Sequence, residues 1–480
     1  MFGYKDLDIQ LSFYAHDLSP TLSINHGRKF ERLGQLQAED VEELFRRYVP
    51  EYSTTPRKPD VEKLRDWKPP GEKVKEYTRE EKNYETWSAS LADERARQIV
   101  TNSQVLVPLF IDAGSTLNLE EEWSRDRWSV HLTYEVQPPK KEIPTIYSLV
   151  GFCTTYRHWT LPTPETLARL QGQPPPPAAE NPFEPRDVRP LTSSSEDQTK
   201  EVIEERDVKI DNEVQKQVNL LELPSRERIA QFLILPPYQS QKHGAYLYNT
   251  IVQQWLNDAN VFEFGVEDPS EEFDRLRDVC DLRRLGKDPA FATLDIAIFL
   301  TEDNMRPRMP VPLDLLLAPL SKIDTLRAKS KIMTRQFSRL IEIQLLEQIP
   351  IATRTPHTSR LTQRLKAPIP DRKYWLWRVI VKERLYRQHR DTLIQLEKPE
   401  RVDKLENTVN GILDEYETVI DAVGKIIEDI KVERQEEAGE ITKEEAERKK
   451  RRLEQTMEDV RITALSKKAR RVAKDDDDEE

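Results

Sequence analysis

Residues 226–278 restrict the fold more than any other stretch of the chain. An apolar run at 229–235 stops at Pro236 and Pro237, which have no backbone N–H to give to a ladder, so a buried strand is expected to end there. Gln239-Ser-Gln-Lys-His-Gly-Ala245 follows, and Leu247, Ile251, Val252, Trp255 and Leu256 then recur with the period of one helical face. A loop that opens directly onto a helix N-terminus presents unpaired backbone N–H groups and the positive end of the helix dipole. Such a place suits a phosphate group without a basic side chain. Val261-Phe-Glu-Phe-Gly-Val266 is a second strand candidate. After it, Asp268 reads as an N-cap, Pro269 as the first helical residue and Glu271 as the reciprocal capping carboxylate, which leaves Glu267 at the end of a strand.

The rest of the chain reads as support for this unit. Leu7-Asp-Ile-Gln-Leu-Ser-Phe13 alternates like a half-buried strand, and 38–48 reads as a short helix followed by a Pro/Lys/Glu-rich connector to Gly71. Thr78-Arg-Glu-Glu81 has the capping-box signature. A helical pattern is expected from there through Trp87, Leu91 and Ile99 towards Phe110, kinked or restarted at Pro108. Trp128, Val130, Leu132, Tyr134 and Val136 alternate with polar or small residues, as one face of an antiparallel strand does, and 146–156 is the expected neighbour. Between 162 and 224 the composition turns Pro-rich and Ser/Glu-rich, which predicts a disordered insertion whose second half, 202–223, mixes acidic and apolar residues.

Residues 291–300 and 313–349 are mostly apolar-periodic, with Met333, Phe337, Leu340 and Ile341 on one helix face. Trp375, Trp377, Val381 and Leu385 predict a further helix, so a small helical domain is expected to close the globular part. Beyond Pro399, Val402, Leu405, Val409, Ile412, Tyr416, Val419, Val423, Ile426 and Ile430 are spaced alternately three and four. That is an a/d seam, which either pairs with another chain or folds back on the helical domain. Lys449-Lys-Arg-Arg452 and Lys467-Lys-Ala-Arg-Arg471 read either as nuclear-import signals or as charge runs on a solvated helix.

With 480 residues, 37% hydrophobic and 33% charged, the chain has enough apolar surface for two or three domains plus tails. A formal net charge of -12 and a pI near 5.4 argue against direct nucleic-acid binding and favour basic partners. Two cysteines, and no apolar run long enough for a bilayer span or a signal peptide, predict a reducing, membrane-free compartment, nuclear or cytoplasmic.

Phe232-Leu-Ile-Leu-Pro-Pro-Tyr-Gln-Ser-Gln-Lys-His-Gly-Ala245, Val266-Glu-Asp-Pro-Ser270 and Leu276-Arg-Asp278 resemble the catalytic subunit of type B histone acetyltransferases, particularly the fungal form. Phe2-Gly-Tyr-Lys5, Leu109-Phe-Ile-Asp-Ala-Gly-Ser115, Val150-Gly-Phe-Cys-Thr-Thr-Tyr156 and Met333-Thr-Arg-Gln-Phe337 match the same pattern, so the resemblance covers most of residues 2–350. It implies an α+β fold: an N-terminal α/β domain (1–112), a GNAT-type acetyltransferase core (113–286, with the insertion at 162–224) and a C-terminal helical domain (287–398). The coiled-coil-like helix (399–432) and a charged tail (433–480) complete the map. The family carries a further acidic N-terminal segment that helps hold the histone tail, and this sequence starts after it, either truly or because the start lies upstream.

The implied reaction moves acetyl from acetyl-coenzyme A to tail lysines of newly made histone H4, which travels with histone H3. An ammonium has no lone pair, so a general base must take its proton. The family match assigns that role to Glu267; for Asp268 a capping role is the alternative. Asp112 stands where the family has a second acidic residue, usually Glu, and its shorter arm favours an electrostatic or water-mediated part. Phe232, Leu233 and Ile234 are expected to offer backbone groups to the pantetheine, and Gln239, Ser240, Gln241, Lys242, His243, Gly244 and Ala245 to wrap the pyrophosphate, with Ser270 nearby. The family usually has Gly at the place of Lys242, whose ammonium either meets phosphate or points to solvent. Trp128, Tyr156, Arg157 and His158 fall on family positions that line the histone groove, where aromatics sandwich a lysine stem. The histidines lack metal-ligand spacing, so no metal is expected. Cys153 and Cys280 read as inert structural thiols. The acidic segment before the central strand lies where the fungal family contacts a WD-repeat histone chaperone; the alternative is a linker without function. The rival reading is a non-catalytic histone-escort scaffold that has lost efficient cofactor binding.

Overall fold

The computed structural model describes residues 2–31, 34, 37–54, 66–119, 121–139, 144–159, 224–297, 317, 320–354, 367–438, 442, 444–452 and 455. The expected insertion, its acidic 202–223 half and the 467–471 basic cluster lie outside them.

The N-terminal strands are β1 (Tyr4–Lys5), β2 (Asp8–Phe13), β3 (Pro20–Asn25) and β4 (Arg28–Lys29), which pair as β1 with β4 and β2 with β3. Helix α1 (Val41–Arg46) is capped by Asp40, whose carboxylate accepts from Glu43 N. A six-stranded sheet then dominates: β5 (Glu72–Arg79), β6 (Lys82–Ser90), β7 (Trp128–Gln137), β8 (Ile146–Trp159), β9 (Ser225–Ile234) and β10 (Val261–Val266). The strands lie side by side in chain order, and every neighbouring pair is antiparallel except β9 with β10. A parallel pair needs a crossover, supplied by α3 (His243–Asn257), which is preceded in the chain by α2 (Glu94–Ser103).

The helix expected from Thr78 towards Phe110 is a correction. Residues 72–90 form a β-hairpin, with Arg79 opposite Lys82, and Glu80 and Glu81 make its two-residue turn at φ 49° and 65°. A two-residue hairpin loop with both φ positive matches the twist of the flanking strands. Of the capping-box residues, Thr78 and Arg79 thus end β5 and Glu80 and Glu81 form the turn, and the alternation of Tyr84 and Thr86, both buried, was the decisive signal. Helical structure starts only at α2, where the Asp93 carboxylate accepts from Arg95 N and Ala96 N.

The sheet has a core on each face. Val130, Leu132, Tyr134, Phe152 and Leu233 pack with Leu22, Leu91, Ile99 and Val107 of the N-terminal part. Cys153 and Ile229 pack on the other face with Leu247, Ile251 and Trp255 of α3. That second core continues through α4 (Glu271–Leu285), α5 (Thr334–Glu347), α6 (Ile369–Gln388) and α7 (Lys398–Glu437). This is the α+β layering of a GNAT-type core. Since β5 and β6 complete the sheet formed by β7–β10, the sheet itself runs across residue 112.

The seam on α7 folds back. Val409, Tyr416, Val419 and Val423 are buried, as is Leu413, and they pack against α4, α5 and α6, whereas Val402 at the start of the seam is 48% exposed. Buried charges lace the same helices. Arg339 donates to Asp278 at 2.7 Å and to Glu415 at 2.9 Å, while Glu342 accepts from Arg384 at 2.6 Å and from the Tyr416 hydroxyl at 2.8 Å.

A seam that is internal makes Val409→Asp a buried, unpaired charge, which should destabilise the fold by at least about 3 kcal/mol in chemical denaturation and leave the solution mass unchanged. Unchanged stability with a smaller solution mass would instead make the seam an inter-chain surface. His131, at 4% exposure, supplies a pH signature: burial pushes its imidazole down to about 4 from 6.5. The unfolded chain therefore takes the proton first on acidification, so stability is full above pH 6.5 and lost towards pH 4, by about 3 kcal/mol. His131→Gln should flatten the pH dependence of the denaturation midpoint across that window; an unaltered slope would refute the assignment.

Candidate active site

The site grows from the place where β9 and β10 part. Their parallel register runs from Val261 opposite Ser225 to Val266 opposite Ile229, and a bond of 2.9 Å from Glu267 N to the Ile229 carbonyl closes it. Beyond that point β9 still pairs with β8 as far as Ile234, so among the described residues its other edge has no strand partner along 232–234. The chain after β10 turns away: Asp268 has φ 36°, Pro269 has no N–H, and α4 begins at Glu271. The N-cap of α4 is Ser270, whose hydroxyl accepts from Phe273 N at 3.3 Å, so the reading of Asp268 as the cap is corrected. Two residues of turn separate Glu267 from that cap.

A β-bulge prepares the open edge. Ile229 faces Thr155 and Gln231 faces Thr154, which leaves Ala230 without a partner. The extra residue switches the parity of the strand, so Phe232 and Ile234 pack towards α3 and α4 on the same side as Ile229, and Gln231 and Leu233 turn to the opposite side. The Phe232 ring meets Phe273 edge-on at 4.8 Å. At the end of the edge, Gln239 donates its side-chain amide to the Ile234 carbonyl at 2.8 Å.

The loop then delivers the helix. Ser240 and Lys242 both have left-handed backbone, at φ 59° and 64°, and Lys242 is the N-cap of α3 without a side-chain cap. The first intrahelical bond runs from Tyr246 N to the Lys242 carbonyl, so the N–H groups of His243, Gly244 and Ala245 precede it at the positive pole of a 15-residue helix. Gly244 brings α3 close to α4: a Cβ there would lie 2.9 Å from Leu276 Cδ1, so the end of that side chain would have to shift. His243 is buried, and its Nδ1 lies 2.8 Å from the Tyr77 hydroxyl of β5. Tyr77 in turn stacks on Tyr246 at 4.2 Å. This aromatic support was not expected, because 78–110 reads as helix and not as the hairpin that carries Tyr77 and Tyr84.

On the other face of the sheet, Trp128 and Tyr156 are register partners with ring centroids 4.8 Å apart, and His158 meets Tyr156 edge-on at 4.6 Å. Burial and the Arg228 guanidinium hold the His158 imidazole below its ordinary value, while the Glu267 charge pulls it up. Asp112 is exposed in the turn after the short helix Val107–Phe110. Its loop is tied to β9 at the same level: the Gln231 amide donates to the Ser115 carbonyl at 2.9 Å and exchanges bonds with Gln104 at 3.1 and 3.2 Å. Gln231 is the one polar residue in the apolar run 229–235, a signal that could have marked it as a fastener. Arg157 does not join this group. One residue out of phase with Tyr156 and His158, it lies on the α3 face, paired with Glu227 at 2.5 Å and Asp258 at 2.8 Å.

Cys153 is fully buried and Cys280 nearly so, and burial raises both thiols, Cys280 to about 12, so neither is a ready nucleophile. Among the described residues no cluster of His, Cys, Asp and Glu is placed to hold a metal ion, and no helix is long and apolar enough to cross a membrane.

A family model described as "Histone acetyl transferase HAT1 N-terminus" matches residues 1–112, and one described as "Fungal HAT1, C-terminal" matches residues 318–349. Among curated proteins, three named histone acetyltransferase type B catalytic subunit are similar over most of their length. The Aspergillus oryzae protein is 36% identical, covering 92% of this chain and 81% of its own. The Aspergillus fumigatus protein is 35% identical, with 88% and 70% covered, and the Emericella nidulans protein 34% identical, with 87% and 80%.

Left-handed backbone at Lys242 carries a Cβ penalty that glycine escapes. Lys242→Gly should therefore stabilise the protein by up to about 1 kcal/mol in thermal or chemical denaturation, and Lys242→Ala should not. Equal effects of the two substitutions would remove backbone strain as the explanation.

Proposed function

Because the chain belongs to the family of type B histone acetyltransferase catalytic subunits, we propose that it acetylates lysines in the N-terminal tail of newly made histone H4, with Glu267 as the general base. The chain is a histone acetyltransferase, and acetyl-coenzyme A is its co-substrate. One observation carries the finer reading: Glu267 ends β10 at the point where the edge of β9 opens, between the free N-terminus of α3 on one side and the Trp128–Tyr156–His158 wall on the other.

Each residue then has a task set by its chemistry. The open edge at 232–234 has backbone groups to spare for an amide-bearing chain, and the N–H groups of 243–245 suit a pyrophosphate. Bound acetyl-coenzyme A supplies the activated acetyl carbonyl. Trp128 and Tyr156 hold the aliphatic stem of a lysine and attract its charge. Glu267 takes the ammonium proton, and exposure on the strand end gives it a route to pass that proton to water. Asp112, on a shorter arm, adds negative charge that attracts the basic tail; Asp268 belongs to the turn that frees Glu267 from the sheet. Transfer is direct within a ternary complex, in keeping with two buried thiols. The substrate arrives as histone H4 with histone H3, the acidic 202–223 segment engages a WD-repeat histone chaperone, and the chain works in nucleus and cytoplasm.

Glu267→Gln keeps size and most hydrogen bonding but cannot accept a proton. Acetyl-coenzyme A should bind as before while turnover on a histone H4 tail peptide falls by roughly two to four orders of magnitude, a loss that shrinks as rising pH neutralises the amine. Asp112→Asn should cost less. Near-normal turnover of Glu267→Gln at neutral pH would transfer the base role to Asp112 or Asp268.

A further inference from the structure

Residues 111–119, which carry Asp112, lie in no strand, and two buried glutamine side chains hold their main chain instead. The segment opens with a tight turn: Gly114 N donates to the Ile111 carbonyl at 2.9 Å, and Ala113 has left-handed backbone at φ 54°. Ile111 N donates to the Val107 carbonyl at 2.9 Å, so the turn that displays Asp112 is joined to the short helix before it. Beyond the turn, the Ser115 carbonyl accepts from Gln231 Nε2 at 2.9 Å and Leu117 N donates to Gln104 Oε1 at 2.8 Å. The two amides also bond each other, from Gln104 Nε2 to Gln231 Oε1 at 3.2 Å and from Gln231 Nε2 to Gln104 Oε1 at 3.1 Å. Main-chain partners fix both orientations. The Ser115 carbonyl requires the nitrogen of Gln231, the Val100 carbonyl at 3.1 Å requires that of Gln104, and Leu117 N requires the Gln104 oxygen.

Resting on the reading that Asp112 draws in the basic tail, we propose that Gln231 is a positioning residue for the peptide substrate: its side chain seats the 111–117 segment against β9. A segment that must be ordered when the substrate arrives costs affinity, and one held beforehand does not. The main chain of the same residue does separate work. Gln231 N donates to the Thr154 hydroxyl at 3.1 Å beside the bulge at Ala230, directly before the unpaired 232–234 edge. That bond belongs to the backbone and survives a change of side chain. Gln231 thus serves the cofactor edge through its N–H and the substrate segment through its amide, and a substitution at 231 separates the two.

Gln231→Met keeps the length of the side chain and removes its donors and acceptor. In steady-state assays of the full chain with a histone H4 tail peptide, the peptide KM should rise at least about fivefold with kcat within about threefold, while acetyl-coenzyme A affinity by calorimetry stays within about twofold. Gln104→Met, which leaves the bond from Gln231 to Ser115, should raise the peptide KM less. Asp112→Asn should raise the peptide KM of the unsubstituted chain but add less than about twofold to that of Gln231→Met. An unchanged peptide KM in Gln231→Met, a parallel loss of acetyl-coenzyme A affinity, or a full Asp112→Asn effect on top of Gln231→Met would overturn the proposal. A raised peptide KM in Gln231→Met beside an inert Asp112→Asn would refute the charge role of Asp112 and keep the positioning role of Gln231. Hydrogen exchange tests the contact without any variant: the Leu117 amide of the unsubstituted chain should exchange at least about tenfold more slowly than an open amide. Exchange at the open rate would equally overturn the proposal.

Discussion

The bond from Glu267 N to the Ile229 carbonyl is the hinge pin of the molecule, because it is where a parallel strand pair stops being a sheet. Two strands that continued together would have every edge group satisfied and nothing to offer a ligand. Here the bulge at Ala230 bends β9 and changes its parity, while the left-handed Asp268 and Pro269 take β10 away. The opening thus arises from local backbone chemistry on both strands. Among the described residues it leaves main-chain groups of β9 without a strand partner, next to the edge strand of the sheet.

An opening of this kind lasts only if the elements around it are held. Helix α4 starts four residues after Glu267, and its Asp278, with no exposure, accepts from Gln336 and Arg339 of α5 at 2.7 Å each. Burial pushes the Asp278 carboxyl up to about 6 against the pull of Arg339, so the pair is expensive to form and gains its place by orientation more than by net stability. Arg339 reaches on to Glu415 and lies 4.9 Å over the Tyr416 ring, which ties α7 to the same point. The long C-terminal helix is in this way connected, through one arginine, to the helix that sets the end of β10. On the opposite flank the β5–β6 hairpin brings Tyr77 and Tyr84 against His243, so the first turn of α3 is fixed from the N-terminal part of the chain.

The sheet also keeps two chemistries apart. Trp128, Tyr156 and His158 stand on one face; His131, Arg157 and Glu227 stand on the other, one residue out of phase. A period of two means that adjacent residues such as Tyr156 and Arg157 serve different compartments although a motif reads them as one. The aromatic face presents Trp128, Tyr156 and His158 together, and the polar face borders a partly open cavity of about 310 Å³ under the end of α3.

Much of this was written in local patterns. The Pro-stopped run at 229–235, the amphipathic stretch after Gly244 and the alternation in 128–136 correspond to β9, α3 and β7, because each is decided by neighbours two to four residues away. The family resemblance singled out the loop at 239–245 and Glu267, which stand at the N-terminus of α3 and at the end of β10. Other features depended on distant partners. Glu80 and Glu81 became a hairpin turn because β6 found β7, against a capping-box pattern with the same residues. The seam on α7 carried no mark of its partner, since the spacing of Val409, Tyr416 and Val423 is the same for a second chain and for α4, α5 and α6. Sequence alone determined the buried faces of β7 and α3 and the seam of α7; only the tertiary structure decided where β9 and β10 separate, which face Arg157 serves and what α7 covers, because parity, bulges and helix docking are set by contacts between residues far apart in the chain.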